Sequence, residues 1–355
     1  MSLVARLARP EIRALEPYAH AAWEPSFERL HANENPWRYP GDTSRAGLNR
    51  YPAPHPLELE ARLATLYGVE KERLIAGRGS DEGIDLLTRA FCVPGRDAVL
   101  LCPPTFGMYR VAARIQGAEV LEAPLARDQG FALDEESVTG ALTPAVKLVF
   151  LCTPNNPTGN ALDQAAIERL AGALTGRALV VVDEAYTEFG SAPSLIGRLD
   201  AFPNLVVLRT LSKAYALAGA RCGVLIAATE IVELLRRIIP PYGMPAPSSE
   251  AVLTALEAPR LATLRERIAL LRRERARLAQ ALAALPIVRK VWPSEANFLL
   301  TEFRDAARAL EAARGAGFLL RDFSRGALTP GCLRISVGSP AQNDRLIAAL
   351  TLAAP

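Results

Sequence analysis

Between positions 73 and 228 the chain alternates short apolar runs with segments whose apolar residues recur every three or four positions. The runs are 98–102, 119–123, 146–152, 178–182, 204–208 and 223–227. They are rich in β-branched residues and almost unbroken by polar ones, the pattern of strands buried on both faces. The intervening segments, such as 80–91 and 164–174, have helical spacing. Together they predict an α/β fold with a mostly parallel sheet covered by helices.

Beyond Pro240 the pattern changes. A proline-rich turn, PPYGMPAP (240–247), leads into a helical region rich in Ala, Leu and Arg that runs to about Leu285. Three strand-like runs follow, 297–301, 318–322 and 332–337, separated by a helix and loops, which suits a smaller α+β domain. The first 30 residues carry prolines and isolated aromatics without clear periodicity and read as an arm that packs on another surface. The expected organisation is therefore an arm (1–30), a large domain (31–240) and a small one (241–355). Neither internal repeats nor low-complexity tracts are seen.

Composition narrows the function classes. With 355 residues, half of them hydrophobic, the chain has material for a large core and favours two domains over one. Lys and Arg number 41 against 38 acidic residues, so the formal charge is only +3 and nucleic acid is not the expected partner. The five cysteines have no C-x-x-C spacing, and four lie in or beside apolar runs, which predicts reduced core thiols in a cytoplasmic protein rather than a disulfide or metal framework. No stretch approaches the roughly 18 apolar residues of a membrane span, and residues 1–10 lack the apolar core of a signal peptide.

In open α/β sheets ligands bind beyond the carboxyl ends of the strands, so the polar residues that follow the apolar runs are the candidates for chemistry. Four places stand out. Gly77-Arg78-Gly79-Ser80-Asp81-Glu82 precedes an amphipathic helix expected to begin near Glu82; free amides there suit a phosphate, though Ser80 or Asp81 would equally serve as a helix cap. Thr153-Pro154-Asn155-Asn156-Pro157-Thr158-Gly159 is a stiff turn that either fixes the Asn156 amide at a strand end or only leads the chain out of the sheet. Asp183 ends a buried run and must be paired to be tolerated. The only histidines are His20, His31 and His55, so a cationic ring nitrogen is a better partner for it than a metal. Lys213 sits in Thr210-Leu211-Ser212-Lys213-Ala214-Tyr215, with Arg221 eight positions on; alone it reads as a surface lysine, and only the company of the other three places changes that.

Taken in order, NENP (33–36), YP (51–52), GRGSDEG (77–83), PPTFGMY (103–109), TPNNPTG (153–159), DEAY (183–186), TLSKAYALAGARCG (210–223) and CLRISVG (332–338) closely resemble the histidinol-phosphate aminotransferases, members of the fold type I pyridoxal-phosphate enzymes. The resemblance spans residues 18–338. Asn156, Asp183 and Lys213 stand in the family's order and spacing (183 − 156 = 27 and 213 − 183 = 30).

The resemblance implies a pyridoxal 5′-phosphate cofactor held by Lys213 as a Schiff base, with the same lysine moving the substrate proton. Asp183 would pair with the pyridine nitrogen, Asn156 and Tyr186 would bond the ring's phenolic oxygen, and Phe106 would stack on the ring face. The cofactor phosphate would rest on the amides of Ser80 and Asp81, with Ser212, Arg221 and Tyr51 of a neighbouring subunit adding contacts, which implies a homodimer with shared active sites. Arg334 would bind the carboxylate of glutamate and the phosphate of histidinol phosphate in turn, Arg321 would be a second phosphate contact, and Tyr18 and Asn33 would line the substrate pocket. The implied reaction exchanges the amino group between L-histidinol phosphate and 2-oxoglutarate in histidine biosynthesis. Rivals on the same scaffold are an aromatic amino-acid aminotransferase and a phospho-amino-acid decarboxylase; a rival of another class is a catalytically silent nucleotide-binding protein.

Overall fold

The structure, a computed structural model, describes residues 2–24 and 26–353. Its main element is a seven-stranded sheet in the order β1-β7-β6-β5-β4-β2-β3. The strands are β1 (Leu74–Gly77), β2 (Ala98–Leu101), β3 (Glu119–Glu122), β4 (Val146–Cys152), β5 (Leu179–Asp183), β6 (Leu205–Thr210) and β7 (Gly223–Ile226). Only β7 runs against the others, pairing antiparallel with both β6 and β1. Val180, Val182, Val207 and Leu100 join the hydrophobic cluster on one face, and Val181, Val206, Leu208 and Leu101 the cluster on the other. Burial on both faces is why these runs read as continuous rather than alternating.

A second sheet, entirely antiparallel, has the order β10-β11-β9-β8, formed by β8 (Val288–Val291), β9 (Phe298–Phe303), β10 (Arg321–Asp322) and β11 (Cys332–Ser336). It packs its own cluster, with Leu299, Leu333 and Ile335 against Leu278, Leu282 and Leu350. The long C-terminal helical region is two helices, Ala246–Ala255 and Ala258–Ala283, interrupted at Leu256 and Glu257. Val252 and Leu256 pack with the large sheet's cluster, while Leu278 and Leu282 pack with the small sheet's.

Three features differ from the sequence reading. The start of the arm packs on the chain itself: helices Leu3–Leu7 and Pro10–Ala14 form, and Leu3 and Leu7, one helical turn apart, bury against the chain's own large sheet layer. The helix after β1 starts at Ser80, two residues earlier than Glu82. Strands β1 and β8 are additional; both are only four residues long, and the second is an edge strand with two charged residues between two valines. All five cysteines are buried free thiols.

Candidate active site

The parallel strands end on one edge, and the reversed β7 begins there. Gly77 lies opposite Gly223, Thr210 opposite Gly223, and Cys152 opposite Asp183. Over this edge lies a cavity of about 690 Å³ that brings together Ser80, Asp81, Phe106, Asn156, Asp183, Tyr186, Ser212, Lys213, Arg221, Arg321 and Arg334. Eleven residues named from sequence thus share one site although they span more than 250 positions of the chain.

At one end the helix Ser80–Phe91 points its N-terminus at the cavity. Its cap, Gly79, offers no side chain, so the first amides keep no intramolecular side-chain acceptor. Gly79 has φ of +87°, and a Cβ on Gly223 would lie 2.2 Å from the Gly79 carbonyl carbon and 2.3 Å from the Ser80 nitrogen. The two backbones touch, and only glycine fits at 223. Arg221 closes this end, its guanidinium donating to Ser212 Oγ (3.4 Å) and to Asp81 Oδ2 (3.4 Å). Because the Asp81 carboxylate is already turned to Arg221, an anion here would meet backbone amides, the Ser212 hydroxyl and a guanidinium.

In the middle, Asp183 is only 2% exposed. Tyr109 donates its hydroxyl proton to Asp183 Oδ2 (2.8 Å), and the Ala185 amide donates to Oδ1 (3.1 Å). Burial pushes the carboxyl up to about 6 despite these two donors. The next residue, Glu184, points the other way and accepts from the Leu195 amide (2.7 Å) and from Arg209 (3.0 Å), so the two neighbouring acids have separate surroundings. Burial also pushes the Tyr186 hydroxyl up. Lys213 opens onto the cavity with its Nζ 5.8 Å from the centre of the Tyr186 ring; the enclosing walls, then Arg334 and Arg221, hold its ammonium below the usual lysine range.

Asn155 and Asn156 divide their work. Asn155 anchors the turn, donating to the Pro104 carbonyl (2.8 Å) and to Thr158 Oγ1 (2.6 Å), while Asn156 faces the cavity and its Oδ1 accepts from Arg334. That bond occupies the amide oxygen, so the group Asn156 has to offer a ligand is its amide nitrogen. Arg334 lies over Phe298 and Phe323, at 5.2 and 5.6 Å. It stands opposite Arg321 in the β10–β11 pair, and both line the cavity.

Three sequence candidates lie elsewhere in this single chain. Tyr18 (74% exposed), Asn33 and Tyr51 (51% exposed) do not line the cavity, and Tyr51 instead packs on Tyr242 with ring centres 4.9 Å apart. Sequence reasoning in turn passed over Tyr109, Phe323 and Thr210. Tyr109 occurs in the quoted string PPTFGMY, but its helical spacing marks it only as core.

The family model for class I and II aminotransferases matches residues 31–350. This chain belongs to that family. Among its relatives, the histidinol-phosphate aminotransferase of Stenotrophomonas maltophilia is 49% identical over 98% of this chain and 96% of its own length. Among solved structures, the histidinol-phosphate aminotransferase of Clostridium acetobutylicum superposes with a TM-score of 0.78 at 20% identity, covering 86% of this chain and 90% of that one. The enzyme of the same name from Sinorhizobium meliloti, solved in complex with pyridoxal-5′-phosphate, gives 0.76 at 26% identity, covering 86% and 82%. A buried carboxylate at Asp183 and a glycine cradle beside Arg221 would fit a cationic heterocycle bearing a phosphate.

Proposed function

We propose that this aminotransferase moves the amino group between L-histidinol phosphate and 2-oxoglutarate, with pyridoxal 5′-phosphate as cofactor, and that it serves histidine biosynthesis in the cytoplasm. The observation that carries the substrate reading is the pairing of Arg321 with Arg334. Like charges directly opposite on adjacent strands repel, and two guanidinium groups placed so at a cavity wall are arranged for an anion that can meet both. A phosphate ester does so with more charge than a carboxylate.

When bound, the cofactor supplies an electron-accepting ring that stabilises negative charge at the substrate carbon losing a proton. The residues of the chain do the rest. Lys213 would anchor the cofactor covalently and, once the substrate's amino group has displaced it, would carry the proton from the substrate Cα, a task helped by an amine held below its usual pKa. Asp183 would offer its carboxylate to the ring nitrogen, and a cation there would lower the carboxyl from the value set by burial alone. Asn156 and Tyr186 would donate to the ring's phenolic oxygen, Phe106 would cover the ring face, and Ser80, Asp81, Ser212 and Arg221 would hold the phosphate end. Arg334 serves both amino-group donors, and Arg321 serves the phosphate ester.

The segment that carries Tyr18, Phe27, Leu30, Trp37, Tyr39, Leu48 and Tyr51 on its surface supports a homodimer in which this face meets a second copy. Tyr51 would there contact the neighbour's cofactor phosphate, with Tyr18 and Asn33 near its substrate. Among the described residues no helix is long and apolar enough to cross a membrane. The division into 1–30, 31–240 and 241–355 is kept as a proposal that limited proteolysis tests. The deciding assay gives purified holoenzyme either histidinol phosphate or phenylalanine as amino donor. A strong preference for histidinol phosphate is expected, and equal rates or a preference for phenylalanine would replace this reading with an aromatic aminotransferase.

A further inference from the structure

Helix Met108–Gln116 directs Tyr109 away from the cavity and into the layer behind it, where the ring has no exposed surface. The ring stacks on Phe150 (centres 4.9 Å apart, planes 9° apart) and meets Phe106 edge-on (5.6 Å, 85°). Packing alone would be served as well by phenylalanine, since a hydroxyl taken out of water must find a partner. The partner is Asp183 Oδ2, and among the described residues Tyr109 is the one side chain that donates a hydrogen bond to that carboxylate. Tyr109 thus touches residues of the cavity wall, Phe106, Cys152 and Asp183 among them, without lining the cavity itself.

We propose that Tyr109 is a positioning residue for the cofactor end of the site: its hydroxyl keeps Asp183 ionised and in one rotamer, while its ring backs Phe106. One side chain then sets both the charge contact and the face contact to a single planar heterocycle. This rests on the reading of Asp183 and Phe106 as contacts to the cofactor ring. The other charged and titratable groups around Asp183 are Asp81 from helix Ser80–Phe91, Cys152 at the end of β4, Glu184 and Tyr186 after β5, and Lys213 after β6. Asp81 and Glu184 oppose its ionisation, which leaves the Tyr109 donor as the main side-chain contribution in the other direction.

The test compares Tyr109→Phe, Asp183→Asn and the double variant as holoenzymes, reading the cofactor dissociation constant and the pH midpoint of the visible absorption band. Tyr109→Phe retains the ring and removes one hydrogen bond to a charged group, so the dissociation constant should rise about tenfold. The midpoint should move up by roughly half a unit or more, because a less positive ring leaves the nitrogen of the Lys213 linkage holding its proton more tightly. In the Asp183→Asn background the same change should do neither. Tyr109→Leu should weaken cofactor binding further than Tyr109→Phe, through lost support of Phe106. Wild-type values for Tyr109→Phe, or equal shifts in both backgrounds, would overturn the inference. An Asp183→Asn variant with an unchanged band and affinity would instead overturn the assignment of Asp183 to the ring nitrogen.

Discussion

On the wall built by the large sheet, Asp183 and Asn156 are buried and already partnered, the first by Tyr109 and Ala185 and the second by Arg334. On the facing wall, Arg321 is exposed on the two-residue edge strand β10, with another cation as its cross-strand neighbour. The first wall is preorganised: its polar groups have their geometry before any ligand arrives, and their burial has been offset by hydrogen bonds within the protein. The second wall is completed by its ligand, since an anion removes a repulsion that the free protein retains. A permanently held cofactor suits the first arrangement, and a substrate that must leave suits the second.

The largest effect should come from Lys213→Ala, which removes the anchor and the proton carrier together. Nearly all transamination should be lost, and borohydride reduction of the wild-type holoenzyme should label the peptide containing Lys213 and no other lysine. Asp183→Asn keeps the shape of the preorganised wall but not its charge, so the proton-transfer step in single turnover should slow by orders of magnitude. A near-normal rate would mean that the carboxylate has a different task.

Arg334 touches both walls through Asn156, so Arg334→Lys, which replaces a planar fork with a point charge, should impair the glutamate and histidinol-phosphate half-reactions together in stopped-flow measurements. Arg321→Ala should be smaller and selective. The loss of one charge-assisted contact is expected to lower efficiency towards histidinol phosphate roughly ten- to a hundredfold, with glutamate much less affected. Equal impairment of both donors, or of neither, would contradict the idea that the second wall is completed by a phosphate.

The last effect concerns stability rather than rate. The folded Asp183 carboxyl lies at about 6 against an ordinary 3.8. Between those values the unfolded chain releases its proton first, so the apoprotein loses stability as pH rises from about 4 to about 6, by at most about 3 kcal/mol. Asp183→Asn apoprotein should therefore gain on wild type above pH 6 and show no advantage near pH 4, as read by thermal unfolding across that range.

The same contrast explains what the sequence could disclose. The preorganised wall was legible because strand ends and stiff turns leave local signals: a buried run stopping at Asp183, a proline-bounded turn around Asn156, glycines before a helix. Tyr109 gave no such signal, because a residue that supports the site from behind has the spacing of any core aromatic. The Arg321–Arg334 pairing was invisible as geometry: the strand-like runs 318–322 and 332–337 were legible, but which residues stand opposite each other depends on a register set across the intervening loop. Tyr18, Asn33 and Tyr51 were named through resemblance, and their distance from the cavity of a single chain goes with a segment that leaves most of its aromatics exposed. The N-terminal helices escaped notice because each is only five residues long.

The backbone contact between Gly223 and the Gly79–Ser80 turn makes the width of the anion cradle and the register of β7 a single variable. Gly77 faces Gly223 in the β1–β7 pair, and a slip of one residue would bring Cys222 or Val224 to the point of contact. The turn would then have to move outward by the depth of a side chain, and the amides at the helix start would no longer converge. Selection of random variants for tight cofactor phosphate binding alone would consequently act as a selection for correct strand pairing at this edge of the sheet.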